Sequence, residues 1–440
     1  MRVLLISTYD LGRQPLGLAL PAASLRAAGA AVDCADTSRD QLADERIGGA
    51  DLVAFYLPMH TATRLAGPLI ERVRQVRPDA RIAAYGLYAP LNAAWLRERG
   101  VMHILGPEAE QDLVNLAGYP ALTLPLRPDR TTLPPLSRYA SLQMPDGTRR
   151  VVGNTDTTRG CKHLCRHCPI VPVYQGRFTA VPVDQVIDDV RTQVAAGAEH
   201  ISFGDPDFFN GPTHGRRIVE RMAREFPALT YDVTIKIEHL RRHANLLPLL
   251  RDTGCLFITS AVESVDDQVL VKLRKGHTRA DFIAATEACR SAGVTLAPTF
   301  VPFTPWTTRE GYADLLAQVA QLDLVEAVAP IQLAIRLLVT AESTLLELPD
   351  LRGAVEPFDP GSLSWPWRHR DRAVDDLQQR VTHIVASRAR SGRREVFAEI
   401  AELVGMNGFA AGRSSNDGVP YMTEAWYCCA EPGPEQVSQL

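Results

Sequence analysis

The sequence predicts an α/β protein built on two parallel sheets. Three observations carry that prediction. Short, wholly apolar β-runs alternate with capped helices in residues 1–117, and the same alternation resumes in residues 151–345. β-runs that are apolar throughout belong to parallel sheets covered on both faces. Between the two stretches, "YPALTLPLRPDRTTLPPLSRYA" is Pro-rich and has no period, which reads as an extended linker over 118–150. With 440 residues the chain is long enough for two or three domains and a large core.

In the first stretch the strand candidates are "RVLLIS", "DLVAFYL", "RIAAYG" and a short "MHILG". Helix candidates lie between them. "LGLALPAASLRAAG" ends in Gly29, "HTATRLAGPLIERVRQVRP" stops at Pro78, and "APLNAAWLRERG" closes on Gly100. The pattern predicts a doubly wound sheet, which binds ligands at the carboxyl ends of its strands. Those ends carry "STYDLG", "LPMHTAT", "YGLYAP" and "GPEAE". In the second stretch "HISFGD", "YDVTIKI", "CLFITSAVE", "GVTLAPTFVPF" and "VAPIQLAIRLL" follow a first strand at "RRVVGNTDTTRGC". Six βα units fit a partial (β/α)6 barrel with functional loops at its C-terminal face. Residues 346–440 read as a helical region, "AVDDLQQRVTHIVASRAR" and "REVFAEIAELVG", ending in an irregular tail.

Composition excludes some classes. A 22% charged, 46% hydrophobic chain is a folded protein and not a disordered one. A net charge of −4 gives no reason to expect nucleic acid or an anionic membrane. No apolar run is long enough to cross a bilayer. "MRVLLISTYD" reads as a first strand, not a signal peptide, so a reducing cytoplasm is expected. Eight cysteines there point to metal or redox chemistry before disulfides.

"TTRGCKHLCRHCPI" places Cys161, Cys165 and Cys168 in a C-x3-C-x2-C loop. Three thiolates need a soft cation. Tetrahedral zinc would want a fourth ligand, and His163 or His167 could serve only by straining a short loop. A four-iron, four-sulfur cube is the other solution, with three irons on cysteine and the fourth open to a substrate.

A C-x3-C-x2-C loop after a first barrel strand resembles the radical S-adenosylmethionine superfamily, and the similarity runs over residues 150–340 or so. The resemblance implies that the amino and carboxylate groups of S-adenosylmethionine chelate the open iron. It also implies that one-electron reduction breaks a sulfur–carbon bond, while the protein binds and shields what results. "ISFGDPDFF" stands where the family carries a Gly-Gly-Glu type sequence, so Asp205 or Asp207 becomes the acceptor for the amino group; as residues alone they read equally as capping aspartates. "TIKIEH" offers Lys236 and Glu238, and "SAVES" offers Glu263 and Ser264, as polar strand ends for ribose hydroxyls or a carboxylate. Arg336, a lone charge in "IQLAIRLL", would meet the cofactor's carboxylate or a rim carboxylate. "VESVDDQVLVKLRKGHT" resembles the stretch after the fourth strand in cobalamin-dependent members.

Residues 1–115 resemble the cobalamin-binding domain of that subgroup. The Asp-x-His-x-x-Gly motif of His-ligated cobalamin is absent, and His60 is read as a loop hydrogen-bonding group and not as a cobalt ligand. Gly17, Gly86 and Ala89 are small enough to let a corrin approach. At the other end, "WYCCAEP" resembles the tail of the CUAEP/CCAEP-tail radical SAM proteins, in which selenocysteine can stand at the position of Cys429. The adjacent Cys428 and Cys429 are therefore expected to act chemically, by redox exchange, as a nucleophile, or in capturing a thiophilic species. The other reading is a tail pinned by Trp426 and Tyr427. Cys34, Cys255 and Cys289 fall in strand or helix patterns and read as core.

The expectation is a cytoplasmic radical S-adenosylmethionine enzyme with a [4Fe-4S] cluster and cobalamin. It would methylate an unactivated centre of a small molecule, with electrons from a flavodoxin or ferredoxin and no nucleic-acid or membrane partner. Transfer of the 3-amino-3-carboxypropyl group to a thiol-held acceptor such as arsenite is the alternative. A zinc-binding or redox-sensing protein is the reading from another class. Substrate and oligomeric state carry no motif.

Overall fold

"RVLLIS" forms β1 (Arg2–Ser7), whose residues from Val3 onward are all buried, as a strand covered on both faces requires. It pairs in parallel with β2 (Ala31–Asp36) and β3 (Leu52–Tyr56). β4 (Arg81–Tyr85) and β5 (His103–Ile104) complete a five-stranded sheet in the order β2-β1-β3-β4-β5. The reversal of strand order beside β1 opens a crevice at the carboxyl edge. Helices Leu16–Ala27 and Glu110–Leu116 cover one face, and His60–Val76 the other. Two apolar clusters result, one centred on Leu5, Leu18 and Leu113, the other on Ile6, Phe55 and Ile70. The computed structural model describes residues 1–121, 127–406 and 418–424.

The second sheet runs β13-β12-β11-β10-β7-β6-β14. Its parallel part is β7 (Arg149–Thr155), β10 (His200–Phe203), β11 (Thr230–Thr234), β12 (Cys255–Glu263) and β13 (Thr295–Phe300). A hairpin of β8 (Thr158–Gly160) and β9 (Phe178–Ala180) stands at the end of β7. Helices between the strands carry clear termini: Arg279–Ala292 starts with a capping box of Thr278 and Asp281 and ends at Gly293, whose φ of 73° suits a left-handed cap. At the sixth βα position, "IQLAIRLL" makes a 3-10 turn, Pro330–Leu333, and a single bridge from Phe303 to Arg336.

The Pro-rich stretch is fastened at several points. Arg130 is ion-paired with buried Asp189 at 3.0 Å, Gln14 donates to the Pro134 carbonyl, and Tyr139 donates to Asp36. Its last part, Ser141–Gln143, is β6, an antiparallel edge of the barrel sheet. Helices Arg372–Ser387 and Arg393–Leu403 form the C-terminal region. β14 (Tyr421–Met422), in the tail read as irregular, pairs antiparallel with β6. No helix among the described residues is long and apolar enough to cross a membrane.

Candidate active site

The carboxyl ends of both sheets face one cavity of about 470 Å³. From the first sheet it is lined by the loops after β1 (Asp10, Leu11, Arg13), β3 (Pro58, Met59), β4 (Gly86, Leu87) and β5 (Pro107, Glu110). These are the strand ends singled out in the sequence. From the barrel it is lined by all three loop cysteines, the Ser202–Asp207 turn, and inward residues of β11, β12 and β13. Arg13 crosses the cavity to donate to Ser202, and Arg159 pairs with Glu110 at 3.0 Å.

The three-cysteine loop starts where β8 ends. Gly160 sits at φ +81°, and a Cβ there would lie 2.4 Å from the Tyr174 ring and 2.6 Å from the Arg177 carbonyl. Only glycine fits that corner. Asp205 takes four hydrogen bonds from Thr157 and Thr158, two from amides and two from hydroxyls, at 2.6 to 2.8 Å. Asn210 donates to the Gly160 carbonyl and accepts from the Lys162 amide. Arg166 is held through its amide and guanidinium by the carbonyls of Leu273 and Lys272.

Both loop histidines face carboxylates. His163 Nε2 lies 3.2 Å from Asp207 Oδ2 and its Nδ1 3.7 Å from Glu238. His239 Nδ1 approaches the same Asp207 oxygen at 2.6 Å, and none of these contacts has the alignment of a hydrogen bond. Burial alone would raise the Asp207 carboxyl, yet the two histidines beside it hold it at about 2. His167 Nε2 donates to Glu263 at 3.0 Å, and Lys275 stands 3.4 Å from the same oxygen. Burial would likewise raise Glu263, but Lys275 and His167 bring it down to about 2. Glu263 follows a register shift in β12 and sits at φ +69°, a strained backbone for a glutamate.

The thiols suit a cluster. Cys165 is buried and the other two are half-buried. Burial pushes the Cys161 thiol up to about 11, so its thiolate needs a cation beside it. Among the described residues the remaining cysteines, Cys34, Cys255 and Cys289, are buried in the two cores, as expected, and supply no fourth ligand.

Of the other expected site residues, Asp205, Asp207, Lys236 and Glu263 line the cavity. Asp205 takes three of its four bonds from Thr157 and Thr158 on Oδ1 and one on Oδ2, and so positions the cysteine loop. Lys236 Nζ lies 3.5 Å from Glu238, which stands behind it, against His163, and does not line the cavity. Two further expected residues stand outside the cavity. Ser264 accepts from the Asp266 amide in a turn ahead of the next helix and does not face the cavity. Arg336 pairs with Asp375 at 2.8 Å and stacks on Trp367, which is the protein salt bridge that formed the other reading of this charge. His60 donates to the Ser362 carbonyl at 2.7 Å, a loop hydrogen bond. Gly17 is filled by the Tyr56 ring and Gly86 by the Leu57 backbone, while Ala89 lies in the core. Gly17 and Gly86 nonetheless line the cavity, whereas Ala89 does not. Cys428, Cys429, Trp426 and Tyr427 lie outside the described residues.

Sequence reading missed Asp10, Arg13, Asp156 and Asp232. Burial raises Asp10 to about 7 and Asp156 to about 6. A signal for Asp232 exists: in "YDVTIK" the polar Asp232, Thr234 and Lys236 alternate with apolar residues, so one strand face is polar, and all three line the cavity.

The Radical SAM superfamily model matches residues 155–316. Over 270 residues the chain is 25% identical to a tRNA-2-methylthio-N(6)-dimethylallyladenosine synthase of Herpetosiphon aurantiacus, covering 58% of each chain. Over 160 residues it is 26% identical to the hopanoid C-3 methylase of Methylococcus capsulatus, covering 36% of this chain and 30% of that one. The chain thus spans well under two thirds of either relative. Among solved structures, the cobalamin-dependent S-adenosylmethionine radical enzyme OxsB with aqua-cobalamin bound has the same fold, with a TM-score of 0.67 and 14% identity, over 88% of this chain and 67% of that one. The radical S-adenosylmethionine methyltransferase TsrM of Kitasatospora setae matches with a TM-score of 0.58 and 18% identity, over 73% of this chain and 71% of that one. With three thiols at the head of a half-barrel and a family match spanning the same strands, the chain carries a radical S-adenosylmethionine domain, the catalytic domain of a superfamily that works with a [4Fe-4S] cluster and S-adenosylmethionine.

Proposed function

We propose that this protein methylates an unactivated centre of a small molecule by radical S-adenosylmethionine chemistry with cobalamin. The observation that carries this reading is that the three thiols and the strand ends of the N-terminal sheet face each other across one cavity. The N-terminal wall is mainly apolar, with Leu11, Leu16, Leu20, Pro58, Met59 and Leu87, which suits the face of a corrin. When bound, the cluster with S-adenosylmethionine supplies one-electron cleavage of a sulfur–carbon bond, and cobalamin supplies a methyl carrier. Cys161, Cys165 and Cys168 would hold three irons. Asp207, kept ionised between two histidines, and Lys236 would orient the amino and carboxylate groups of S-adenosylmethionine. Arg13 and the Arg159–Glu110 pair keep the two walls together, which limits water in the cavity. A flavodoxin or ferredoxin in the cytoplasm would supply the electron.

A second reading is transfer of the 3-amino-3-carboxypropyl group to an acceptor held by Cys428 and Cys429. It is favoured by Pro420, Tyr421, Met422 and Glu424, which line the cavity rim just before the tail. Tyr9 donates to Glu424 at 2.5 Å and Arg39 stands 3.5 Å from it.

The test is anaerobic reconstitution followed by dithionite and S-adenosylmethionine. Visible absorbance reports cluster and corrin, and mass spectrometry reports the products. A brown, iron-containing protein that binds corrin and yields 5′-deoxyadenosine is expected. Methylthioadenosine without corrin, abolished by Cys428→Ala with Cys429→Ala, would replace the first reading by the second. A colourless zinc protein would overturn both.

A further inference from the structure

The barrel interior is polar where a closed barrel would be filled with branched apolar side chains. On one level Asn154, Ser202, Asp232 and Phe257 stand side by side in register across β7, β10, β11 and β12. On the next, Thr234 pairs with Thr259 and Thr259 with Ala297, and one level further Ala261 pairs with Thr299. All of these residues line the cavity.

Asp232 is the buried carboxylate at this centre. Its Oδ1 accepts from His200 Nε2 at 3.0 Å, and its Oδ2 accepts from Ser202 at 3.3 Å. His200 is wholly buried, stacked on Phe257, with Nδ1 2.8 Å from Thr230. Asp232 therefore has a fixed position, and its basic partner is an imidazole, with no ammonium or guanidinium paired to it among the described residues. Of the other carboxylates in the cavity, Glu263 is paired with Lys275, Glu110 with Arg159 and Glu424 with Arg39, while Asp207 stands between two histidines and Asp205 accepts from Thr157 and Thr158. Asp10, Asp156 and Asp232 remain, with the Arg13 guanidinium inserted among them. Eight carboxylates line the chamber against five lysine and arginine side chains, Lys236 and Arg393 included, so it is short of positive charge, and buried carboxylates are retained where something pairs with them. A second observation points to a ligand. The Thr299 hydroxyl, on a residue 7% exposed, lines the cavity and has no hydrogen-bond partner, a state that buried polar groups avoid.

We propose that the substrate carries a cationic nitrogen, an ammonium or guanidinium, which Asp232 accepts on the barrel axis while Thr299, two levels nearer the carboxyl ends of the strands, takes a separate polar group. This rests on reading the cavity as the active site. It goes further by assigning the substrate's charge and the residue that reads it. His200 and Ser202 are positioning residues that hold the carboxylate toward the cavity.

The test uses the full chain, reconstituted, and three probes whose only cationic group is one primary amine, glucosamine, butylamine and cyclohexylamine, each against its neutral N-acetyl counterpart. Binding is followed by saturation-transfer NMR. At least a tenfold preference for the amines as a class is expected, lost in Asp232→Asn. Thr299→Val, which leaves the carboxylate in place, should weaken the amines several-fold with an unchanged melting temperature; it serves as the second variant if Asp232→Asn does not fold. Absence of a preference for the amines, or a preference that survives Asp232→Asn, would overturn the proposal. Because the readout needs no cluster, the two readings separate. A protein that cleaves S-adenosylmethionine but shows no amine preference sinks only this inference. One that lacks iron–sulfur absorbance yet keeps the preference sinks the enzyme reading and leaves the cation site standing.

Discussion

Asp205 shows how much one side chain can organise. Its four hydrogen bonds come from the two threonines at the start of the hairpin strand that leads into Cys161. Removing it orphans two buried amides as well as two hydroxyls, at about 1 kcal/mol each. Asp205→Ala should lower unfolding free energy by about 4 kcal/mol in urea titration and reduce bound iron after reconstitution. If iron content stays at the wild-type level, the hydrogen bonds do not set the loop. The sequence displayed Asp205 as a candidate but could not assign its role. A carboxylate at a strand end reads the same whether it meets a ligand or the chain's own amides. Arg336 is the parallel case: a lone charge in an apolar run signals an anion, and the sequence does not say that the anion is Asp375, 39 residues away.

Elements were the most legible scale. Runs such as "RVLLIS" and "CLFITSAVE" have the apolar continuity that a doubly covered strand demands, and they form β1 and β12. β14 was illegible because two residues have no period, and its partner β6 lies far back in the chain. At β8, the element ends in a corner that admits no side chain. Gly160→Ala would force the Tyr174 ring and the Arg177 carbonyl to move. That substitution should leave both large sheets intact by far-ultraviolet circular dichroism while cutting iron incorporation by more than half. Full incorporation would show that the hairpin yields at low cost.

At the scale of the molecule, His60 ties the N-terminal sheet to the C-terminal region through the Ser362 carbonyl. Burial pushes its imidazole down to about 4. The folded state then binds fewer protons than the unfolded state between about pH 6.5 and pH 4, so stability is present above that window and falls as pH drops through it. From pH 7 to pH 5 the loss is about 2 kcal/mol. His60→Gln, which keeps a donor for Ser362 and cannot titrate, should flatten the urea-midpoint profile over that range. An unchanged slope would place the acid sensitivity elsewhere. The facing of two sheets was only half visible in sequence. The strand ends announced a ligand edge on each half, while the pairs that bring the edges together, Arg13 with Ser202 and Arg159 with Glu110, are side-chain contacts between distant segments that no local pattern encodes.

Those cross-cavity ties are polar, whereas the large apolar clusters lie mostly within one sheet or the other. The two halves should therefore unfold as separate cooperative units, coupled by ionic and hydrogen-bonded contacts that salt weakens. Scanning calorimetry at low ionic strength should give overlapping endotherms that move apart as sodium chloride is added, and a ligand that fills the seam should draw them back together.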